Sequence, residues 1–200
     1  MFKLIVATLL LVSSISVFAE GNPEHGKSIS QACAVCHGAD GNSPAGSFPS
    51  IAGQHPKYLL KQLKDIKSGA RAAPLMTGQL EAFSEDDLAD LAAYYASQTP
   101  KGGAAKPELV ALGESIYRSG IKRKSIAACT ACHLPQGEGS NLAGFPALAG
   151  QWPEYTETQL KAFRVGDRHN DGDGKMMRTT SLDLSDREIA AVASYLYGLH

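Results

Sequence analysis

The 200-residue chain has no surplus of either charge: Lys and Arg number 19, Asp and Glu 20, and the formal charge is −1. Without a basic excess it lacks the electrostatic footprint of a general nucleic-acid binder. Beyond residue 19 it has no apolar run near the ~20 residues of a membrane span, and no convincing alternation of apolar and polar residues of the kind a sheet needs. Glycine (20) and proline (10) make it loop-rich, yet leave it well short of the ~25–30% that marks low-complexity chains. Cysteine and methionine are scarce at four each, and one methionine is Met1. Most of the chain is therefore expected to fold, as helices joined by Gly/Pro loops.

Residues 1–19, MFKLIVATLLLVSSISVFA, place one cation, Lys3, ahead of an apolar run from Leu4 to Val12, then serines and a Val17-Phe18-Ala19 end. This is the pattern of a cleaved secretory signal, and the run is too short for a membrane anchor. The expected mature protein is soluble, exported to the periplasm and slightly acidic, since losing Lys3 leaves 18 basic against 20 acidic residues.

The remainder is a tandem duplication. FPSIAGQHPKYLLKQL from Phe48 returns as FPALAGQWPEYTETQL from Phe145 at an offset of 97, and AVCHG at 34–38 returns as TACHL at 130–134 at an offset of 96. Leu88, Leu91 and Tyr94 return as Ile189, Val192 and Tyr195 at an offset of 101, so the second copy has gained about four residues in between. The expected boundaries are 20–97 and 108–200, with the Gly/Pro-rich stretch 98–107 as linker. Each copy reads as three short helices. The first opens at Asn22-Pro23 or Lys106-Pro107. The middle one carries Leu59, Leu63 and Ile66 before Gly69, or Leu160 and Phe163 before Gly166. The last opens on a capping box, Ser84-x-x-Asp87 or Ser185-x-x-Glu188. Units this small have thin cores and call for a staple.

The cysteines supply one. Each pair is followed at once by histidine, Cys33-Ala-Val-Cys36-His37 and Cys129-Thr-Ala-Cys132-His133, which is the c-type haem attachment signature twice over. Positions i and i+3 share a helical face, so both thiols reach one porphyrin edge, while i+4 carries the imidazole beneath the iron. Redox-active disulfides or a four-thiol zinc site are the competing uses, but neither calls for a histidine after the second cysteine in both copies.

A low-spin electron-transfer haem takes a second axial ligand, commonly methionine or histidine. Met76 lies eight residues before Ser84, and Met177 eight before Ser185, so the repeat register pairs these two. Met176 is one residue off and would serve only after a local shift. Core filling is the usual work of methionine, but LMTGQ and KMMRT read as helix-poor loops where no core residue is required. His25, His55, His169 and His200 have no partners across the repeat; they are expected to be incidental, with His169 the one placed to replace a methionine. The stretch Asp167–Gly174 does not satisfy the ligand register of a calcium loop and reads as the insertion of the second copy. Residues 20–105 carry 7 basic and 9 acidic residues and residues 106–200 carry 11 of each. The Lys122-Arg123-Lys124 cluster in the second unit is either a steering patch for a partner or a solvated loop.

The whole mature chain resembles the cytochrome c4 family, exported dihaem proteins in which two class I cytochrome c units are fused. The resemblance is carried by CHGADGNSP (36–44), FPSIAGQ and FPALAGQ, YLLKQL, LMTGQL, NDGD (170–173) and the terminal SYLYGLH. It implies an all-α architecture of two tandem cytochrome c domains, two covalent haem c groups on Cys33/Cys36 and Cys129/Cys132, and iron ligation by His37 with Met76 and by His133 with Met177. It also implies that Pro49 and Pro146 offer carbonyls to the histidine Nδ1–H groups, and that Gly26 and Gly113 let the first helix of each unit cross the last near Tyr94 and Tyr195. Where the family often has Met-x-Met, this chain has Lys175-Met176-Met177, and the methionine kept in register is Met177. The implied activity is one-electron transfer from a quinol-oxidising cytochrome bc complex toward a terminal oxidase, by a monomer loosely held at the membrane and without nucleic acid. The rival is a dihaem peroxidase, which also carries two CxxCH motifs but needs one open iron position and acid/base groups above it; a haem-based sensor would need an output domain that the chain lacks.

Overall fold

The computed structural model describes residues 21–199; the expected secretory signal at 1–19 and His200 lie outside them. In the first half, helices α1 (Pro23–Ile29), α2 (Gln31–His37), α3 (Pro56–Lys67) and α4 (Glu85–Ala96) follow one another, with a 3₁₀ turn at Pro74–Met76. In the second half come α5 (Pro107–Ser119), α6 (Thr130–His133), α7 (Pro153–Val165), α8 (Met176–Ser181) and α9 (Asp186–Tyr197), with a 3₁₀ turn at Lys122–Lys124. Among the described residues there is no strand, only isolated bridges at Ile121–Ile126 and Ser140–Phe145. The chain is thus helical as expected, but not with three helices per unit. The first copy splits its leading segment at Ser30 into α1 and α2, and the second copy adds α8.

Helix ends follow the local chemistry. The Asn22 side chain accepts from the amides of Glu24 and His25, and Ser84/Asp87 and Ser185/Glu188 both close complete capping boxes, each of which satisfies amides that the helix itself leaves orphaned. The first and last helices of each half pack tightly together. A Cβ on Gly26 would lie 2.0 Å from the Asp90 carbonyl oxygen and 2.9 Å from the Tyr94 Cβ; one on Gly113 would lie 2.3 Å from the Ala191 oxygen and 2.6 Å from the Tyr195 Cβ. Only glycine permits these crossings. Around them, Leu59, Leu91, Ala92, Tyr94 and Tyr95 form the first core, with Cys33 at its margin. The second is built on Ile116, Tyr117, Ile189, Val192 and Leu196, with Cys129 at its margin.

The segment between the halves is anchored along its length rather than free. The Lys101 amide donates to Asn42 Oδ1 at 2.8 Å, the Gly103 amide to the Tyr197 carbonyl at 3.0 Å, and the Lys106 amide to Ser194 Oγ at 2.9 Å. The halves themselves meet through reciprocal contacts between repeat-equivalent residues. The Gln54 side chain pairs with the backbone of Ala147 (2.9 and 2.9 Å), and Gln151 pairs with the backbone of Ser50 (2.9 and 2.8 Å). At the next position, the His55 ring meets the Glu138 carbonyl through Nε2 at 2.8 Å, and Trp152 Nε1 donates to the Ser43 carbonyl at 3.0 Å. Behind these lie Arg71 and Arg168, both buried. Arg71 donates to Gln62, Tyr155 and Gln159, and Arg168 to Gln159, Tyr58 and Gln62. Burial pushes the Tyr155 phenol up, but the two guanidiniums outweigh it and hold Tyr155 below its ordinary value.

Candidate functional site

Two equivalent sites are built from one pattern. In the first half Cys33, Cys36 and His37 all lie on α2, so the two thiols are one helical turn apart on one face. In the second half α6 covers only Thr130–His133, with Cys129 as its N-cap in helical backbone conformation, which preserves the same i, i+3, i+4 relation. None of the four cysteines is in a disulfide. Burial pushes the Cys33 thiol up and the Cys129 thiol to about 11. Both therefore stay protonated at neutral pH, which disfavours thiolate redox chemistry. Among the described residues no three His, Cys, Asp or Glu side chains gather into a metal-sized group.

The histidines are buried, His37 at 8% exposed and His133 at 6%. Nδ1 of His37 is 2.9 Å from the Pro49 carbonyl oxygen and Nδ1 of His133 is 3.0 Å from that of Pro146, so each Nδ1–H donates to a carbonyl. Desolvation lowers both pKa values, against the smaller upward pull of those carbonyls. The result in each half is a neutral imidazole with its proton fixed on Nδ1 and its Nε2 lone pair available, the tautomer a metal-ligating histidine requires. Phe48 and Phe145 flank the rings, with centroids 6.4 and 6.3 Å away. This donor set, two thiols on one helical face beside an imidazole whose Nδ1–H is held by a carbonyl, fits a haem c.

The expected sulfur residues are placed differently in the two halves. Met76 is half-buried at the end of the Pro74–Met76 turn, so its segment is loop-like. Met176 and Met177 instead begin α8, which corrects the expectation of a helix-poor KMMRT segment. The cause is local: Asp171 accepts from the Arg178 amide at 3.0 Å and from Arg178 Nε at 2.7 Å, pinning the insertion loop to the first turn. Met177 is half-buried and Met176 is 49% exposed. His169 is exposed.

Several functional contacts escaped the sequence reading. His25 sits with Nδ1 2.7 Å from Asp90 Oδ2 and ties α1 to α4, and His55 reaches into the other half; neither is incidental. Lys124 donates to Glu188 at 2.6 Å and Arg123 lies 3.5 Å from the same carboxylate, so two of the three cations in the basic cluster are engaged in the helix cap. The available signal was the identity of polar residues across the repeat: Gln54 with Gln151, Gln62 with Gln159 and Arg71 with Arg168 all stand at the offset of 97.

The family model described as "Cytochrome c" matches twice, over residues 23–99 and 110–200. Cytochrome c4 of Pseudomonas aeruginosa is 49% identical over 100% of this chain and 100% of its own. The chain belongs to the cytochrome c4 family. The crystal structure of reduced recombinant cytochrome c4 from Pseudomonas stutzeri superimposes with a TM-score of 0.89 at 47% identity, covering 90% of this chain and all of that one. A thiosulfate dehydrogenase electron acceptor from Thiomonas intermedia is 37% identical over 96% of this chain and 88% of its own. As a member of the cytochrome c4 family the chain is an all-α tandem of two cytochrome c domains and an electron-transfer, haem-binding protein. Among the described residues no helix is long and apolar enough to cross a membrane.

Proposed function

We propose that this chain is a dihaem one-electron carrier of the periplasm, exported by removal of residues 1–19 and built of domains 20–97 and 108–200. Haem c, when bound, supplies reversible one-electron chemistry. Cys33 and Cys36 hold one group and Cys129 and Cys132 the other, through thioether links. His37 and Met76 would hold the iron of the first group, and His133 and Met177 that of the second; a soft thioether and an apolar surrounding would favour the reduced state. Met177 is preferred to Met176 because it keeps the repeat register and is the more buried of the two.

The observation that carries the reading is the pair of His Nδ1–carbonyl contacts at 2.9 and 3.0 Å, repeated in both halves. These contacts support both imidazoles as iron ligands; a dihaem peroxidase would differ at the other face of one haem, where the register pairing of Met76 with Met177 favours a carrier. Electrons pass between redox proteins, from a cytochrome bc complex toward a terminal oxidase, with the carrier monomeric and loosely held at the membrane. The similarity to a thiosulfate dehydrogenase electron acceptor favours a second donor, a periplasmic dehydrogenase delivering to the same haems.

A redox titration of the exported protein, following the ferric methionine-sulfur charge-transfer band, tests this. Two haems per chain are expected, both contributing to the band; Met76→Ala and Met177→Ala each remove about half of it, and Met176→Ala leaves it intact. A haem that is high-spin and binds cyanide readily in the unsubstituted protein overturns the carrier reading in favour of an enzyme.

A further inference from the structure

The reciprocal glutamines bear on more than domain packing. The peptide unit joining Pro49 to Ser50 has two ends: its carbonyl oxygen accepts from His37 Nδ1–H at 2.9 Å, and its N–H donates to Gln151 Oε1 at 2.9 Å. The peptide unit joining Pro146 to Ala147 repeats the arrangement: its oxygen accepts from His133 Nδ1–H at 3.0 Å, and its N–H donates to Gln54 Oε1 at 2.9 Å. Each histidine is therefore connected through a single peptide plane to a glutamine of the opposite domain. The amide orientations are fixed by their partners. Gln151 Oε1 also accepts from the Trp152 amide at 3.1 Å, Gln54 Oε1 from the His55 amide at 3.0 Å, and both Nε2 groups donate to carbonyls.

We propose that Gln54 and Gln151 are positioning residues that each tune the axial histidine of the opposite domain, so that the electron affinity of one haem is set in part by a side chain of the other domain. The proposal rests on His37 and His133 being the iron ligands. Its physics is hydrogen-bond cooperativity: a peptide whose N–H is bonded carries a more polarised carbonyl, which accepts more strongly from the next donor. A stronger acceptor at Nδ1 gives the imidazole more anionic character and makes it a more basic ligand, which favours the ferric state. Loss of Gln151 Oε1 weakens the acceptor facing His37 and raises the potential of the first-domain haem; loss of Gln54 Oε1 does the same at His133 and the second.

The test uses the haem-loaded, full-length exported protein, reduced and labelled with ¹⁵N-histidine, and reads the His37 and His133 Nδ1–H resonances together with the two midpoint potentials. Gln151→Met is expected to move the His37 resonance upfield with His133 unchanged. It also shifts the ferric-to-ferrous ratio of the first-domain haem about twofold to threefold, ~20–30 mV at 59 mV per decade. Gln54→Met gives the mirror result. Trp152→Phe removes a different interdomain bond, that to the Ser43 carbonyl, and leaves both histidine resonances in place. Should a methionine variant fail to accumulate with two haems, Gln151→Asn or Gln54→Asn retracts the amide by one methylene and carries the same expectation. A shift in the variant's own domain, equal shifts in both, no shift, or the same pattern from Trp152→Phe overturns the proposal. If His37 and His133 are not the ligands, their Nδ1–H signals show no haem ring-current displacement in the unsubstituted protein, which separates that failure from this one.

Discussion

In the first half, the stretch before the last helix is one 3₁₀ turn, Pro74–Met76, followed by a loop to the Ser84 cap; in the second, it is an insertion loop locked by Asp171 to Arg178 and then the helix Met176–Ser181. Where the halves face each other the glutamine and arginine contacts show no such divergence, although His55 and Trp152 reach different carbonyls. Gln54 and Gln151 make the same bonds, Arg71 and Arg168 draw on the same glutamine and tyrosine pairs, and both histidines meet a proline carbonyl at the same distance within 0.1 Å. A side chain serving a reciprocal contact cannot change alone without orphaning a buried group on the other side, whereas a loop can lengthen at small entropic cost and add contacts of its own, as Asn170 does with Gln62 and Asp65. The interface and the histidine sites thus keep the repeat, and the methionine segments are where it drifts.

The hardest way to break the shared part is at the helix crossings. Gly26→Val and Gly113→Val each drive a side chain into backbone at 2.0 or 2.3 Å, so the helices must separate. Each is expected to destabilise its own half by about 3 kcal/mol or more, checked by thermal unfolding followed through the haem absorption of each domain. Equal losses at the two sites confirm that this crossing is held in common; a tolerated valine at either shows that the half accommodates a different crossing.

Much of this was legible because the duplication let each half check the other. Capping boxes and CxxCH depend on spacing within a few residues, the repeat register aligned Met76 with Met177, and the glycine crossings came from the family resemblance alone. Contacts between the halves were not legible. Nothing local says that Gln54 meets Ala147 or that His55 reaches Glu138, since these are set by how two folded units dock, and His55 opposite Trp152 looked unmatched although both donate from the same N-cap position. Helix α8 was missed for a related reason: KMMRT has little periodicity, and its first turn is organised by Asp171, several residues upstream.

The drifting segments are separated more finely by Leu80 and its repeat equivalent Ser181, which occupy the same register and are both buried, at 2% and 0% exposed. Leu80 fills apolar space, and Leu80→Ala is expected to cost about 2–3 kcal/mol. Ser181 Oγ has no hydrogen-bond partner, so Ser181→Ala removes an unsatisfied polar atom and is expected to be neutral or stabilising by about 1 kcal/mol. Denaturant midpoints of the two variants decide this; a clear loss with Ser181→Ala means that its hydroxyl is satisfied in the haem-loaded protein.

The smallest contrast is between the two capping boxes. Desolvation pushes the Glu188 carboxyl up, but the Lys124 ammonium and the Ser185 amide and hydroxyl outweigh it and hold it at about 2. Asp87 is also lowered, chiefly by Ser84, but it is only half-buried and has no lysine bonded to it. A carboxyl depressed on folding contributes its stability in full above its ordinary value, near 4.5 for glutamate, and loses it as pH falls toward the folded value. Glu188→Gln is therefore expected to cost the second half about 1 kcal/mol at pH 7, mostly through the cap and the charge-assisted bond to Lys124, and to flatten its acid sensitivity between about pH 4.5 and 2. Asp87→Asn should change the first half's acid profile less, because its carboxylate is more accessible to solvent than that of Glu188 and has no lysine bonded to it. Equal responses of the two halves in an acid unfolding series would mean that the lysine on Glu188 adds nothing beyond the shared cap.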